Sequence, residues 1–283
     1  MELIKDKEFG GERRLFESHN LHIDNVVIRE GESAIKECSN IKATNCRFEG
    51  NYPFWHVHGF VIDRCYFDVG GRSALWYSDH LRMTDTHIDA PKMFREMHDI
   101  DIENVVMTDA DETFWRCKGI RAKNLRLQGG TYPFMFSSDI EIDGLVSDSK
   151  YVFQYVSNVV VRNAKITTKD AFWEVENVTI YDSELNGEYL GWHSRNLRLV
   201  NCHISGEQPL CYAENLVLEN CTFDPACDRA FEYSSVNAII KGSIGGVKNP
   251  RSGRIEADCL GDVVIDGNIK MPASLAASMI SFI

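Results

Sequence analysis

The chain has 283 residues, of which 44% are hydrophobic and 25% charged, a composition typical of a globular protein with a substantial core. With 30 Lys and Arg against 42 Asp and Glu, its net charge of −12 argues against nucleic acid or an anionic membrane as a partner. No apolar run approaches the roughly 18 residues that span a bilayer. We therefore predict no nucleic-acid partner and no membrane partner.

The N-terminal segment, MELIKDKEFGGERRLF, contains acidic residues throughout and has no apolar stretch of the length found in signal peptides. The nine cysteines form no CxxC pair, so zinc sites of the usual spacing are not expected. In a chain of this size without a secretion signal, free thiols indicate a reducing compartment. We predict a cytoplasmic protein without a cofactor.

In chain order, we predict an N-terminal cap over 1–19, a stack of coils over 20–267 and a C-terminal cap over 268–283, all in one domain. The coils are indicated by a repeat, best seen in NLRLVNCHIS from Asn196 and NLVLENCTFD from Asn215. Its mean period is about 19.5 residues, with no linker between copies. Cognate segments start at Asn20, Asn40, Gly59, His80, Asp99, Gly119, Asp139, Asn158, Asn177, Asn196 and Asn215.

Each repeat is predicted to consist of short strands separated by corners. The second and fourth positions are apolar, as in Leu197 and Leu199, which is typical of a strand with alternate sides facing inward. Asn, Asp or Gly is common at the sixth position, where tolerance of left-handed backbone favours a corner. We predict an all-β fold, a single-stranded right-handed parallel β-helix of about 12 coils. A leucine-rich repeat is the alternative, which the extended last segment of the repeat disfavours.

Stacking converts each repeat position into a column that runs along the solenoid. One inward column holds a large apolar residue per coil, chiefly Phe, and the Asn that opens many repeats predicts a ladder of amide hydrogen bonds. Cys46 and Cys65, like Cys202 and Cys221, share an inward column on successive coils. Buried thiols that fill a tight corner are favoured there over a disulfide.

All five tryptophans fall in one column, next to the inward phenylalanines. This column and the residue after it are predicted to face outward, and an exposed aromatic strip marks a binding site, here for the apolar faces and hydroxyls of a saccharide. The alternatives are a strip covered by a terminal segment or a partner chain, or tryptophans that belong to the core. The predicted ligand-binding residues are Trp55, His56, Trp76, Tyr77, Trp115, Arg116, Trp173, Glu174, Trp192 and His193.

Carboxylates on neighbouring coils are candidates for acid–base chemistry. Glycoside hydrolysis by the common routes needs two carboxyl groups about 5–5.5 Å or 6.5–9.5 Å apart, distances that adjacent and diagonal coils supply. Asp79 and Glu96 are the predicted catalytic pair, with Arg95 or Arg116 placed to hold a substrate carboxylate. Glu174 with His193 is a second candidate pair. If the protein is an enzyme, we predict a hydrolase or lyase of polysaccharides or oligosaccharides.

The last position of the repeat carries ionisable side chains on successive coils. His58, Asp79 and His98 are predicted to lie in one row, an arrangement able to hold a divalent metal or to tune an acid–base pair. A surface ladder is favoured over both, so no metal is predicted. Farther along, the same column predicts a charge ladder that contributes little to stability. Its members are Glu176, Arg195 and Glu214.

Spaced phrases of the sequence resemble an uncharacterised, mainly bacterial family known only as a domain of unknown function: GERRLF, GESAIKE, ALWYSD, KMFREM, ETFWRC, DAFWEVENVTIYDSELNGEYLGWHS, QPLCY and AFEYSSV. The resemblance covers essentially the whole chain and implies a fold similar to the pectin-lyase-like β-helices. No activity and no catalytic residue come with it. The carboxylate-rich motifs of polygalacturonases and the acidic calcium triplet of pectate lyases are absent.

The leading functional prediction is carbohydrate binding, with or without processing, along the face formed by Trp55, Trp76, Arg95, Glu96 and Trp115. The alternative is a non-catalytic scaffold whose aromatic strip forms the interface of a homodimer or of a complex with another partner. A sugar groove should be open and carry polar groups beside the rings. An interface should be flat and lie under the partner.

Overall fold

The chain forms a parallel β-solenoid of about 14 turns with about 19 residues per turn. The computed structural model describes residues 1–267 and the backbone of the strand Ser274–Ile280. Within that part, the 3-10 turn Val69–Gly71 is the only helical element. No helix in the described residues has the length and apolar character of a membrane span. The predicted all-β solenoid is confirmed, with about 14 turns in place of the predicted 12.

Residues 1–19, assigned from the sequence to a cap, form a coil and so account for part of the difference in number. β1 (Glu2–Lys5) pairs in parallel with β3 (His19–Asp24), and β2 (Glu8–Phe9) pairs in parallel with β4 (Val27–Ile28). The sequence pattern does not reveal this coil because most of its side chains are exposed and nine of the 19 are charged, so the alternation of apolar residues is weak.

The chain divides into two compact units, and the first is Met1–Ser149. Its strands stack in register from coil to coil, so that Leu81 lies opposite Phe60 on one side and Ile100 on the other. Its strands after β4 are β5 (Ser39–Thr44), β6 (Arg47–Phe48), β7 (His58–Asp63), β8 (Tyr66–Phe67), β9 (Leu75–Trp76), β10 (Asp79–Ile88), β11 (Phe94–Arg95), β12 (His98–Met107), β13 (Lys118–Leu127) and β14 (Ser138–Ser147).

The second unit is Lys150–Ile283. Leu199 lies opposite Ile180 and Leu218 in the same parallel register. Its strands are β15 (Ser157–Arg162), β16 (Lys165–Lys169), β17 (Glu176–Tyr181), β18 (Glu184–Glu188), β19 (Arg195–Val200), β20 (His203–Ser205), β21 (Leu216–Phe223), β22 (Ser235–Ile240), β23 (Ser243–Lys248), β24 (Ser252–Val264) and β25 (Ser274–Ile280). The predicted C-terminal cap, 268–283, includes β25, which pairs in parallel with β24. The other residues of this cap lie outside the described residues.

The core of each unit contains the predicted inward column of phenylalanines. In the first unit, Phe94, Phe114 and Phe134 are fully buried, with ring centroids 4.3 and 4.7 Å apart and nearly parallel planes. In the second unit, the rings of Phe153 and Phe172 stack at 5.2 Å. Because successive coils are about 4.8 Å apart, identical side chains in one column meet face to face.

Asparagine side chains form the predicted ladder along the second unit. The amide of Asn196 donates to Asn177 at 2.8 Å, and the amide of Asn215 donates to Asn196 at 3.1 Å. Both Asn196 and Asn215 have left-handed backbone, with φ of 55° and 53°. Asparagine adopts this conformation at lower cost than most residues, and the amide chain fixes the register of successive coils.

The nine cysteines are free thiols, eight of them buried, as the corner-filling hypothesis predicts. The backbone N–H of Cys46 donates to the sulfur of Cys65 at 3.4 Å. Burial raises the pKa of Cys117 and of Cys211 to about 12, because an apolar surrounding disfavours the thiolate. These thiols therefore act as small packing groups rather than as nucleophiles.

Candidate functional site

The tryptophans lie on the outer side of the solenoid wall and are half-buried, so the alternative that placed them in the core is wrong. In the first unit, the rings of Trp55 and Trp76 stack with centroids 5.3 Å apart and an interplanar angle of 11°. Each indole N–H donates to a backbone carbonyl of the next coil, at 2.6 Å to Ser73 and at 2.7 Å to Lys92. The indoles therefore turn their faces toward one another along the stack.

Arg95 continues this stack instead of pointing to a ligand. Its guanidinium carbon lies 4.5 Å from the ring centroid of Trp76 and 5.3 Å from that of Trp115. One guanidinium nitrogen donates to Glu112 at 2.9 Å, and Lys92 pairs with the same carboxylate at 3.1 Å. The predicted role of Arg95, to hold a substrate carboxylate, would require breaking these contacts.

The predicted catalytic pair, Asp79 and Glu96, is not joined by a hydrogen bond within the described residues. Asp79 instead accepts hydrogen bonds from His58 and His80, both at 2.8 Å, while Glu96 extends into solvent. Burial alone would raise the pKa of Asp79, but the hydrogen bonds from the two histidines outweigh it and lower that pKa. A carboxyl group with a lowered pKa is ionised at neutral pH and is a poor general acid.

His58, Asp79 and His98 occupy directly opposed positions on three successive strands, as predicted. Among the residues that the structure describes, however, no three His, Cys, Asp or Glu side chains are grouped as metal ligands. The cluster extends in another direction, since His80 also lies 3.4 Å from Asp99. It is a surface network of hydrogen bonds centred on Asp79.

The substitution Asp79→Asn is expected to lower the pKa of His80 toward its ordinary value, because the hydrogen bond to Asp79 is the largest cause of its elevation. A histidine whose folded-state pKa is raised stabilises the protein below its ordinary pKa, and this contribution is lost as pH rises through the raised value. An NMR titration of the His80 imidazole measures the shift. The control Asp99→Asn should shift the pKa less, and a larger shift there than with Asp79→Asn would contradict the assignment.

The second unit carries a different arrangement on the same side of the repeat. Trp173 and Trp192 stack at 5.6 Å, and the Trp192 indole donates to a backbone carbonyl at 2.8 Å. Beyond them is an outer column, Tyr155, Glu174, His193, Tyr212 and Tyr233. The rings of His193 and Tyr212 stack at 4.9 Å, and Tyr212 is 36% exposed.

The backbone conformation explains why the outer column projects from the wall. Glu174, His193 and Tyr212 have φ of 51°, 57° and 58°, in the left-handed region that most residues avoid. Their backbone N–H groups donate to carbonyl oxygens of the next coil. The N–H of Glu174 donates to Trp192 at 2.9 Å, and the N–H of Tyr212 donates to Glu232 at 2.7 Å. These hydrogen bonds offset a conformational cost of about 1–2 kcal/mol for each residue and hold the side chains in solvent.

A polar pocket of about 290 Å³ opens between the outer column and the charged column that follows it. Glu176 and Arg195 are opposite each other on successive strands, and Arg195 pairs with Glu214 on the next coil at 3.7 Å. The predicted charge ladder is therefore one wall of a cavity. The pocket is lined by Glu174, Val175, Glu176, His193, Ser194, Arg195, Tyr212 and Glu214.

Ser194 distinguishes this pocket from the equivalent corners of other coils. Ser78, Ser137 and Ser234 occupy the same column, and each hydroxyl donates to a backbone carbonyl and accepts from a backbone N–H of an earlier coil. Ser194 is only 1% exposed, yet its hydroxyl has no hydrogen-bond partner among the described residues. The hydroxyl lies in the inward column, 3.9 Å from the place that a Cβ atom on Gly191 would take, so it belongs to the interior of the wall behind the pocket.

Sequence reasoning identified Glu174 and His193 but missed Ser194 and Tyr212. The signal for Tyr212 was present, since it follows the Trp column by one residue as His193 does. The surface around Trp76 and Trp115 was the leading binding site predicted from the sequence. The faces of these indole rings are covered by neighbouring rings and by Arg95.

Comparison with known proteins identifies the family. Residues 2–277 match the family described as "Protein of unknown function (DUF3737)". The chain belongs to this family. The predicted membership in a family of unknown function is thereby confirmed for this DUF3737 protein, and no curated protein sequence matches it.

Three solved structures are similar to this DUF3737 protein at low identity. The Azotobacter vinelandii mannuronan C-5 epimerase AlgE4 A-module shares 11% identity over 99% of this chain and 90% of its own, with a TM-score of 0.27. A point mutant of the periplasmic alginate epimerase AlgG shares 11% identity over 99% of this chain and 77% of its own, with a TM-score of 0.26. QnrB1, a plasmid-mediated fluoroquinolone resistance protein, shares 14% identity over 78% of this chain and 91% of its own, with a TM-score of 0.25.

Proposed function

We propose that the protein binds a saccharide in the pocket of the second unit. The observation that carries the proposal is the cavity of about 290 Å³ in which the partly exposed side chain of Tyr212 stands beside three carboxylates and a guanidinium group. The volume is at the lower end of the roughly 300–1,000 Å³ of ligand pockets. It therefore suits a short segment of one or two sugar rings.

The chemistry of the lining matches the two kinds of surface that a sugar presents. The apolar face of a pyranose packs against aromatic groups, and His193 and Tyr212, whose ring faces stack on each other, present their exposed edges at the pocket rim. Sugar hydroxyls donate to carboxylates, here Glu174 and Glu176, and accept from guanidinium, here Arg195. The proposal covers binding; hydrolase or lyase chemistry stays a prediction from the sequence.

Rigid construction of the site favours recognition. The side chains lie on successive coils whose register is fixed by backbone hydrogen bonds, and Trp192 behind them is anchored by its own N–H bond. A site built on strands loses little conformational entropy when a ligand binds. The residues of the first unit, Trp55, Trp76 and Trp115, are proposed to be structural rather than ligand-binding.

Titration calorimetry with short oligosaccharides, chosen from a glycan array, tests the proposal. Tyr212→Ala is expected to weaken binding by about tenfold or more, because a buried aromatic contact contributes on the order of 1–2 kcal/mol. Tyr155→Ala is the matched control: Tyr155 is in the same column and 39% exposed, but it does not line the pocket. Equal losses in both variants, or no binding by the unaltered protein, would contradict the proposal.

The competing function is a scaffold with a partner interface on the outer column, which includes the homodimer predicted as an alternative. Exposed rings such as Tyr155 and Tyr212 are compatible with an interface as well as with a sugar site. Light scattering separates the two. A dimer that dissociates on Tyr212→Ala would support the interface, whereas an unchanged mass with lost saccharide binding supports the pocket.

A further inference from the structure

We infer that one face of the second unit binds a second copy of the chain, with the coils of the two copies running antiparallel, and that this contact covers the polar pocket. The inference goes beyond the proposed function and does not depend on it. This pairing face consists of two columns of side chains on four successive coils: Tyr155, Glu174, His193 and Tyr212 in the outer column, and Ser157, Glu176, Arg195 and Glu214 in the charged column.

A two-fold axis determines which residues of the pairing face meet. In a symmetric homodimer, residue i of one copy contacts residue j of the other, and j contacts i. An axis that lies in the face and runs perpendicular to the columns keeps each column opposite itself and reverses the order of the coils. When the axis passes midway between the coils of Glu174 and His193, the first coil of the face lies opposite the fourth, and the second lies opposite the third.

The charged column is complementary to itself about this axis. Glu176 lies opposite Arg195 of the second copy, and symmetry forms this ion pair twice. The hydroxyl of Ser157 lies opposite Glu214 of the second copy and can donate to its carboxylate. Within residues 1–267, Glu176 forms no ion pair, since Arg195 pairs with Glu214 at 3.7 Å instead. A second copy therefore supplies the cationic partner that Glu176 lacks in its own chain.

The outer column is complementary in the same way. Glu174 lies opposite His193 of the second copy, and an imidazole N–H donates to a carboxylate whether or not the ring is charged. Tyr155 is 39% exposed and lies opposite Tyr212, which is 36% exposed, so the contact removes apolar area from water on both sides of the charged centre. Tyrosine is among the residues that are enriched in protein interfaces.

The first unit lacks this complementarity in the same two columns. The corresponding residues of four successive coils are His56, Tyr77, Glu96 and Arg116 in the outer column, and His58, Asp79, His98 and Lys118 in the charged column. The same two-fold operation would place Lys118 opposite His58 and Arg116 opposite His56, which brings basic groups together. Self-complementarity is therefore a property of the side chains in the second unit and does not follow from the repeat.

The pairing face is short, so the contact should be weak. Four coils spaced by about 4.8 Å give a length of about 20 Å, and the buried area falls below the roughly 1,200–2,000 Å² of stable interfaces. We expect a dissociation constant in the micromolar range or above, with the dimer appearing as the protein concentration rises. Because Glu176 and Arg195 also line the pocket, a bound saccharide and a second copy would compete for this surface.

Charge reversal tests the pairing of Glu176 with Arg195. Glu176→Arg brings two cations together at both symmetric contacts, and Arg195→Glu brings two anions together, so each variant alone should dimerise at least about tenfold more weakly than the unaltered protein. An equimolar mixture of the two variants again sets a cation opposite an anion at both contacts. We expect this mixture to recover the affinity of the unaltered dimer. Sedimentation velocity at protein concentrations from about 1 µM to 1 mM measures each affinity.

Lys165→Glu is the matched control for charge reversal. Lys165 and Glu184 are opposite each other on successive strands of the second unit and pair at 3.0 Å, outside the pairing face. Reversal there breaks an exposed ion pair within the chain and should leave the dimer unchanged. Circular dichroism of all three variants shows whether the β-sheet structure is retained.

The possible results separate the inference from the proposed function. A protein that stays monomeric over the whole range, a dimer that neither reversal weakens, or a mixture that fails to dimerise overturns the inference and leaves saccharide binding intact. A dimer without saccharide binding overturns only the proposed function. Where both are found, saturation of the pocket with saccharide should lower the dimer fraction. A dimer that persists at saturation overturns the inference that the second copy covers the pocket.

Discussion

Phe114→Ala is expected to destabilise the first unit by about 3–5 kcal/mol, the cost of removing a large buried aromatic ring. The ring is fully buried and stacks on Phe94 at 4.3 Å and on Phe134 at 4.7 Å, so the change opens a cavity with an aromatic ring on both sides. Rigid coils above and below limit the collapse that would refill it. Urea unfolding combined with hydrogen exchange of peptides from residues 1–149 measures the loss.

Phe136→Ala is the control for this change, because it removes the same ring from a nearby position of the first unit. Phe136 is 42% exposed, and its ring lies edge-on to Trp115 at 5.7 Å. We expect a loss of about 1 kcal/mol or less. A loss in Phe136→Ala equal to that in Phe114→Ala would show that the inward column is not the main source of stability in this unit.

The fold was predictable because a solenoid repeats its physical constraints in every coil. One coil cannot bury its apolar side alone, so Leu197 and Leu199 must recur as Leu216 and Leu218, and the recurrence reveals both the period and the inward face. The asparagine ladder was predictable for the same reason, since left-handed corners favour Asn on each coil. The first coil escaped prediction because its exposed, charged residues satisfy the backbone pairing without repeating the apolar pattern.

The orientation of the tryptophans was not predictable in the same way. Sequence periodicity places a residue on the inner or outer side of a strand, but side-chain rotamers determine whether a ring shows its face or its edge. Here the indole N–H groups bond to carbonyls of the next coil, and this turns Trp55 and Trp76 parallel to one another. Arg95 fills the next place in the stack because Glu112 holds its guanidinium group.

The pocket shows the same limit at a finer scale. Ser78 and Ser194 have the same residue type in the same column, yet only Ser78 forms the two backbone bonds that close its corner. A sequence pattern does not encode this difference, because the residue type and its column are the same at both corners. What the sequence did indicate was the supply of charged residues around it, since Glu174 and His193 were recognised as a pair and Glu176 and Arg195 as a ladder.

Gly206→Ala is expected to destabilise the second unit by about 3 kcal/mol or more and to weaken the pocket at the same time. A Cβ atom at this position would lie 2.1 Å from the carbonyl oxygen of Gly187 on the preceding coil, and φ is +115°, which alanine rarely adopts. The two backbones would have to separate, at a cost that adds steric overlap to dihedral strain. The same two coils carry Arg195 and Glu214, so their separation should also disturb the pocket wall.

Gly242→Ala isolates the dihedral part of this cost. Gly242 has φ of +79°, but a Cβ atom there would meet nothing within 4 Å, so we expect a loss of about 1 kcal/mol and no change in ligand binding. Thermal unfolding followed by circular dichroism, together with calorimetry of ligand binding, compares the two variants. Equal losses of stability would mean that close approach of the coils at Gly187 and Gly206 is not required. A destabilised Gly206→Ala protein that binds its ligand normally would show instead that the pocket does not depend on the spacing of these coils.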